Sequence, residues 1–338
     1  MPEKHPYTSR AASMEDVGAV AELFNARSRR SYGQDQVKAE SLARQWSGEL
    51  LQISEDVRLF FDQEDRLAGY ACVPAPRPPF IEVTYAVAAH PERESDASLW
   101  DVMICWCSEK DRLVLSKAPD GAAVHAGASA LVEDEVRWAA YERHGFQRVR
   151  VEHRLRTELD REIPEPQWPE GFTLPAFDIE TELEKLVALD QEAFRDHWGH
   201  VERPFDEEVR GWQEWIQELG SDLDPSLWFV ARAGDELAGY VVCEPEIPGD
   251  TACGYVSGFA VRAMYRKRGL GLALLHHAFR ELKHRGKTAV ELDMDSENLT
   301  GASRVYARAG MVPIRQMLLY EKRLREGEDL TVRSLDQV

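Results

Sequence analysis

Residues 256–282, VSGFAVRAMYRKRGLGLALLHHAFREL, decide the fold of this chain because they predict a strand, a tight turn and a helix. Apolar, β-prone residues between 256 and 261 predict the strand. The helix is predicted from Gly271 onward, because apolar residues then recur at positions i, i+3, i+4 and i+7. The connection between them, residues 266–271 with the sequence RKRGLG, is called the glycine turn below.

The glycine turn has the properties of an anion-binding site. The first N–H groups of a helix lack partners within the helix, and the helix dipole favours negative charge there. Gly269 and Gly271 carry no Cβ atom, so a phosphate group can approach the backbone closely. Four cationic side chains flank the turn in a chain of net charge −19: Arg262, Arg266, Lys267 and Arg268. Two glycines alone also fit an ordinary strand-to-helix turn.

The motif spacing points to one family. No Gly-Lys-Ser/Thr follows the glycines, as a Walker loop requires, and the three-glycine dinucleotide fingerprint is absent. The pattern Arg266-x-x-Gly269-x-Gly271 resembles the acyl-CoA motif of the GCN5-related N-acetyltransferases (GNAT), Arg/Gln-x-x-Gly-x-Gly/Ala. Residues 298–306, NLTGASRVY, are similar to the second motif of that family. That motif closes with Gly-Met at residues 310–311, where most family members have Gly-Phe.

The resemblance implies a fold and a set of site residues. The fold is an α/β fold with a mixed, mostly antiparallel sheet, whose central strands separate to admit pantetheine. By resemblance, the backbone of Phe259 and Val261 meets the pantetheine arm and thioester of acetyl-CoA, and Tyr306 is the general acid beside the sulfur. A tyrosine at this helical position also fits core packing. The other expected cofactor-binding residues are Arg266, Lys267, Arg268, Gly269, Leu270, Gly271, Leu272 and Asn298.

An internal repeat predicts two domains of this kind. The matches are RLAGYACVP at 66–74 with ELAGYVVCE at 236–244, YAV at 85–87 with FAV at 259–261, and YERHGF at 141–146 with YARAGM at 306–311. The predicted domains are residues 1–160 and 172–338, joined by a stiff, proline-rich linker at 161–171. This tandem layout is similar to that of the mycothiol synthases.

The first domain is expected to be degenerate. Glu92, Ser95 and Ala97 stand where the second domain has Arg266, Gly269 and Gly271, so a pyrophosphate would meet carboxylates there. The first half is otherwise predicted to contain helices over 14–30, 36–51, 100–109 and 133–144, and strands over 57–61, 67–73, 81–87, 112–116 and 146–156.

The chemistry also needs a base, because an alkylammonium with a pKa of about 10.4 must lose a proton before it attacks. The candidates are Glu291, Asp293 and Asp295 on a predicted strand, and Asp196, His197 and His200 after the first helix of the second domain. Each of them also fits an ordinary surface position.

Composition limits the remaining possibilities. Of the 338 residues, 43% are hydrophobic and 30% charged, which is typical of a globular protein, and the acidic net charge argues against nucleic-acid binding. The five cysteines show no paired CxxC pattern, so neither a metal site nor a disulfide framework is expected. Neither a membrane span nor a leader sequence is expected, which favours the cytoplasm; the oligomeric state is left open.

The sequence therefore predicts an acetyl-CoA-dependent N-acetyltransferase that acts on a primary amine of a small molecule, by direct transfer in a ternary complex. Three alternatives stay open. The chain could be a non-catalytic acyl-CoA-binding regulator in which Tyr306 only packs, an acetyltransferase for a protein amine, or a scaffold whose first domain binds a protein partner.

Overall fold

The computed structural model describes residues 6–48, 51–296 and 301–333. Groups of helices alternate with groups of strands in the first half. The strands are β1 Thr8–Ala11, β2 Val57–Phe61, β3 Leu67–Cys72, β4 Glu82–Ala89, β5 Val124–Leu131 and β6 Gln147–Glu158. The helices are α1 Val17–Tyr32, α2 Ala39–Trp46, α3 Ile53–Asp56, α4 Ala97–Glu109, α5 Asp111–Leu115 and α6 Glu135–Arg143.

The second half repeats this alternation. Its strands are β7 Phe172–Thr173, β8 Trp228–Ala233, β9 Glu236–Glu244, β10 Cys253–Val261, β11 Ala289–Asp295 and β12 Val312–Arg325. Its helices are α7 Ile179–Phe194, α8 Phe205–Leu219, α9 Leu270–His284 and α10 Ala302–Arg308. The predicted strand, turn and helix of residues 256–282 correspond to β10, the glycine turn and α9.

One predicted strand is wrong. Residues 112–116 lie in α5 and the turn that follows it, where Ser116 donates its backbone N–H to the carbonyl of Arg112 at 3.0 Å. The run Leu-Val-Leu at 113–115 is too short to distinguish a period of 2.0 from one of 3.6. Only one side of this segment is buried, with Val114 fully inside. This pattern is typical of a short helix on the surface.

The chain forms two compact units that are discontinuous in sequence. The first unit comprises residues 1–150 and 317–330, and the second comprises 151–316 and 331–338. The strand that ends each half therefore belongs to the other unit: most of β6 lies in the second unit and most of β12 in the first. The sequence analysis placed a single boundary at residues 161–171 and did not anticipate this exchange.

Both units have the same strand order. In the first, neighbouring strands are β1-β2-β3-β4-β5-β12, and in the second they are β7-β8-β9-β10-β11-β6. In each unit one central pair is parallel, β4 with β5 and β10 with β11. The other pairs are antiparallel, including β5 with β12 and β11 with β6. The predicted mixed α/β sheet in two tandem copies is confirmed.

The second unit buries one helix layer on each face of its sheet. On one face α9 contributes Leu274, Ala278 and Phe279, all fully buried, because its apolar residues share one side of the helix. On the other face α7 contributes Leu186 and Leu189. The sheet is therefore apolar on both sides, and polar side chains between the layers need a specific partner or an opening.

The segment expected to be a linker packs on the second unit. Ile163 is 3% exposed within the core that contains α9. Two cationic side chains of α9 hold this segment, since Arg280 Nη1 donates to Ile163 O at 3.0 Å and Lys283 Nζ donates to Arg161 O at 2.6 Å. Residues after β6 are thus part of the folded unit.

Candidate active site

The glycine turn has the backbone shape of an anion cradle. Lys267 and Gly269 have positive φ, 63° and 94°, so both residues adopt left-handed backbone conformations before α9 begins at Leu270. Among the residues that the structure describes, no side chain caps the start of α9, which leaves its first N–H groups available. Gly271 allows a close approach, because a Cβ there would lie 3.1 Å from Phe259 Cζ.

The side chain of Arg266 anchors the turn. Its guanidinium donates Nε to Val261 O at 3.0 Å and Nη2 to Ala193 O at 2.7 Å. Nη1 also lies 2.5 Å from Asp196 Oδ2. Arg266 therefore ties the glycine turn to the end of α7, and its charge is already balanced within the protein. This anchoring role was not predicted from the sequence.

The other predicted cofactor-binding residues divide into three groups. Phe259, Val261, Lys267, Gly269, Gly271 and Leu272 line a cavity of about 1090 Å³ together with Arg266 and Tyr306. The Leu270 side chain is 1% exposed and packs in the core, and the exposed Arg268 guanidinium lies 5.6 Å from the ring of Tyr265. Asn298 falls outside the described residues.

The cavity follows the line along which β10 and β11 separate. Their last paired residues are Tyr255 and Glu291, although β10 continues to Val261. A bulge at Ser257 shifts the register of β10 against β9 and bends the strand at this point. Tyr255 and Val261 are about 20 Å apart along β10 at about 3.3 Å per residue. The cavity thus joins the glycine turn to the middle of the sheet.

Tyr306 lies beside this opening. It is 8% exposed, and its ring centroid lies 5.7 Å from that of Phe259. Burial raises the pKa of Tyr306 well above its ordinary value, so its hydroxyl holds its proton. Within the described ranges this hydroxyl has no hydrogen-bond partner.

The matching tyrosine of the first unit is engaged differently. Tyr141 is fully buried, donates to Ser129 O at 3.4 Å and accepts from Arg137 Nε at 3.2 Å. Its ring also packs on Phe146 at 5.5 Å. Tyr141 is therefore a core residue, whereas Tyr306 faces a cavity.

The start of α4 in the first unit is already occupied by a carboxylate. Asp96 accepts hydrogen bonds from Ser98 N at 2.9 Å and from the Tyr7 hydroxyl at 2.6 Å. This is the position in the repeat that Leu270 holds in the second unit. A bound anion would have to displace a negative side chain that caps the helix.

Two of the predicted base candidates on β11, Glu291 and Asp293, form ion pairs. Glu291 is buried and accepts from Arg156 Nη1 at 2.9 Å. Asp293 lines the cavity but accepts from Arg154 Nε at 2.6 Å and from the Tyr255 hydroxyl at 2.9 Å. Both carboxylates are therefore held by arginines of β6.

The candidates after α7 differ from one another. Burial acts to raise the pKa of Asp196, but the hydrogen bonds and charge of Arg266 outweigh it, and the net pKa is lowered. Burial lowers the pKa of His197 and of His200, so both imidazoles are neutral at pH 7. His197 lines the cavity, as does Asp295.

The sequence analysis missed several polar and aromatic residues of the cavity. The carboxylates are Glu152, Asp190 and Glu244, and the aromatic residues are Phe194, Trp198, Trp212, Trp215, Tyr240 and Tyr255. Burial raises the pKa of all three carboxyl groups, that of Asp190 to about 6. One sequence signal was present, since Asp190 lies one turn after Leu186 on the apolar side of α7.

Among residues 6–48, 51–296 and 301–333, no cluster of three or more His, Cys, Asp or Glu side chains could hold a metal ion. Over the same residues, no helix is both long enough and apolar enough to cross a bilayer.

Comparison with known proteins agrees with this geometry. Residues 183–311 match the sequence model of the acetyltransferase (GNAT) family. The second unit contains a GNAT domain. This GNAT domain includes α7, the glycine turn and Tyr306.

Relatives of known name share part of the chain. Mycothiol acetyltransferases of Salinispora arenicola and Thermobispora bispora are 32% and 31% identical to it, over 192 and 172 residues. These stretches cover 55% and 49% of this chain and 56% and 55% of those proteins. The chain thus spans about half the length of the curated relatives it matches.

Solved structures match over nearly the whole chain. A GCN5-related N-acetyltransferase from Sphaerobacter thermophilus has a TM-score of 0.77 at 27% identity, covering 96% of this chain and 98% of that one. A tandem GNAT protein from the clavulanic acid biosynthesis pathway has a TM-score of 0.70 at 14% identity, covering 95% and 100%. The second likeness shows the shared fold of the tandem GNAT arrangement.

Proposed function

We propose that the second unit is an acetyl-CoA-dependent N-acetyltransferase that acts on a primary amine of a small molecule, by direct transfer in a ternary complex. The observation that carries the proposal is the cavity along β10. It joins an uncapped helix start at the glycine turn to a wall rich in carboxylates and aromatic rings, with Tyr306 beside the strand opening.

The residues at the glycine turn fit the phosphates of acetyl-CoA. The uncapped N–H groups of α9, the two left-handed residues and the exposed side chain of Lys267 supply donors and positive charge. The first unit offers the opposite environment, because Asp96 caps α4. One acyl-CoA site per chain is therefore proposed, in the second unit.

Acetyl-CoA supplies an activated acetyl group as a thioester. The protein residues supply position and proton control. Tyr306 keeps a proton on its hydroxyl oxygen and can provide it where negative charge develops on sulfur. Phe259 and the separated part of β10 present the strand edge along which the pantetheine arm is proposed to lie.

The other end of the cavity fits an amine. Glu244 and Tyr255, which face each other on β9 and β10, line the cavity there, and Glu152 and three tryptophans line it as well, so its wall combines carboxylates with apolar surface. The relatives named mycothiol acetyltransferase support a small-molecule acceptor, although their names describe those proteins. A cavity of about 1090 Å³ is of the size that small-molecule ligands occupy.

The test is acetyl-CoA turnover against a panel of amines, with free thiol release as the readout and mass spectrometry of the acceptor. The panel contains amino sugars, amino acids, diamines and lysine peptides. We expect thiol release that depends on a small amine, with an acceptor mass increase of one acetyl group. Tight CoA binding without turnover on any member would contradict the proposal and favour a non-catalytic regulator.

A further inference from the structure

The half-buried Asp190 and the buried Tyr240 form a polar pair that faces the cavity. Asp190 lies on α7 beside the buried side chains of Leu186 and Leu189, and it lines the cavity. The hydroxyl of Tyr240, on β9, donates a hydrogen bond to Asp190 Oδ1. Across the part of the chain that the structure describes, the second oxygen, Oδ2, makes no hydrogen bond.

The packing of β10 holds this pair at the strand opening. A Cβ atom at Gly258 would lie 2.9 Å from Tyr240 Cε2, so only glycine allows the ring to rest on β10. Gly258 follows directly after the bulge at Ser257. Trp212 covers the ring from the side of α8, with centroids 6.3 Å apart. The hydroxyl is thereby held next to the region where β10 and β11 separate.

The first unit contains an apolar version of the same pair. Tyr70 matches Tyr240 in the repeat. When Phe24 is placed opposite Asp190, the buried Val20, Ala21 and Leu23 of α1 coincide with the buried residues 186, 187 and 189 of α7. The rings of Phe24 and Tyr70 make an edge contact with centroids 5.0 Å apart. The unit whose helix start is blocked by Asp96 thus has a hydrophobic contact where the other unit has a carboxylate.

We infer that Asp190, oriented by Tyr240, accepts the proton of the substrate ammonium group. This inference rests on the proposed acetyl transfer and assigns its missing base. In the proton-transfer step an N–H bond of the ammonium breaks and an O–H bond forms on the Asp190 carboxylate. The electron pair of the N–H bond stays on nitrogen as the lone pair that attacks. Asp190 then returns its proton to water, so one proton leaves per amide formed.

The surroundings of Asp190 suit this task. Burial raises the pKa of Asp190 to about 6, the hydrogen bond from Tyr240 opposes the rise, and the charge of Glu208 on α8 adds to it. From β10, the third element against α7, the neighbours are the uncharged Gly258 and Ala260. The carboxylate is therefore ionised at pH 7 to 8, yet more basic than an ordinary aspartate.

The experiment measures kcat/KM for the amine between pH 5 and 9 in the full-length chain. Asp190→Asn keeps an oxygen for the Tyr240 hydroxyl but cannot accept a proton. We expect kcat/KM to fall by about 10²–10⁴-fold. The decrease of kcat/KM toward acidic pH, called the acidic limb below, should disappear, and CoA affinity should not change.

Tyr240→Phe provides a second, milder test. Losing the hydrogen bond to the ionised carboxylate raises the pKa of Asp190, so the acidic limb should move to higher pH, and the rate above pH 8 should fall less than in Asp190→Asn. Tyr70→Phe is the matched control and should leave the limb in place. A structural role for the pair, or a base at His197, would not move the limb in Tyr240→Phe.

The outcomes separate this inference from the proposed function. A wild-type chain that releases no thiol with any amine overturns both. A wild-type chain that acetylates, together with an Asp190→Asn variant within threefold of its rate and with the limb intact, overturns only the role of Asp190. If Asp190→Asn does not fold, an unmoved limb in Tyr240→Phe overturns it instead.

Discussion

The Arg266 guanidinium lies between the Asp196 carboxylate, 2.5 Å from Nη1, and the Ala193 carbonyl, 2.7 Å from Nη2. This arrangement attaches the glycine turn to the end of α7. The motif arginine thus holds the turn in shape, and its charge is not free for a ligand.

Removing the partner of Arg266 should loosen the turn. In Asp196→Ala we expect the free energy of unfolding to fall by about 1–3 kcal/mol, because hydrogen bonds to a charged group are lost and the guanidinium stays half-buried. CoA affinity should fall about tenfold as the turn loses its shape. Calorimetry and urea unfolding measure these effects. Arg268→Gln is the control: its charge is exposed, so stability should not change.

A bulky side chain at Gly271 should abolish cofactor binding. Even a Cβ at this position lies 3.1 Å from Phe259 Cζ, so the indole of Gly271→Trp must project into the cavity or push α9 away from β10. Isothermal titration should give one CoA per wild-type chain and none for the variant. Ala97→Trp, at the matching and exposed position of the first unit, should bind normally. Two equivalent CoA sites would contradict the single-site proposal.

The hydroxyl of Tyr306 should matter for rate and little for stability. Tyr306→Phe keeps the ring contact with Phe259 and removes the proton donor. A loss in kcat of about 10²–10⁴-fold is expected, with CoA affinity unchanged. Single-turnover measurements should accompany steady-state ones, since slow product release can hide the effect. Tyr141→Phe should leave kcat unchanged, and an active Tyr306→Phe variant would show that the hydroxyl is not the acid.

Asp190 should lower the free energy of unfolding at pH 7 to 8, where its carboxylate is ionised. Its folded pKa, about 6, lies above the unfolded value, so its contribution to stability is complete below about pH 4 and is lost as the pH rises through 6. Asp190→Asn removes this dependence. We expect the variant to be more stable than wild type at pH 8, by up to about 3 kcal/mol, and equal to it at pH 4. Urea unfolding at both pH values measures this, and a less stable variant at pH 8 would argue against a strained carboxylate.

Because β6 belongs mostly to the second unit and β12 to the first, the effect of truncating the chain can be predicted. A fragment of residues 166–338 lacks β6, which pairs with seven residues of β11 from Ala289 to Asp295. It also lacks the buried Leu155, Leu159 and Ile163. We expect this fragment to be insoluble or inactive, and the longer fragment 147–338 to be more soluble because it keeps that strand. Equal solubility and activity of the two fragments would show that β6 is dispensable.

Local pattern was sufficient to predict the strand, turn and helix of residues 256–282, which correspond to β10, the glycine turn and α9. Tyr306 lies in a second, separate motif, and its role as the general acid stays a prediction. Asp190 was missed because its meaning depends on Tyr240, fifty residues later on another strand. The pairing of β6 with β11 could not be predicted from local pattern either, because the alternation of residues within a strand does not specify its partner strand.

Because β12 completes the sheet of the first unit, it also determines when that unit can finish folding during synthesis. In the first unit Ala128 pairs with Tyr320 and Val124 with Arg325, so β5 keeps an open edge until β12 has left the ribosome. An N-terminal domain normally closes while the next one is still being made. Here the first unit must wait for the second to be translated, and its exposed strand edge is the point at which a nascent chain would need protection from aggregation.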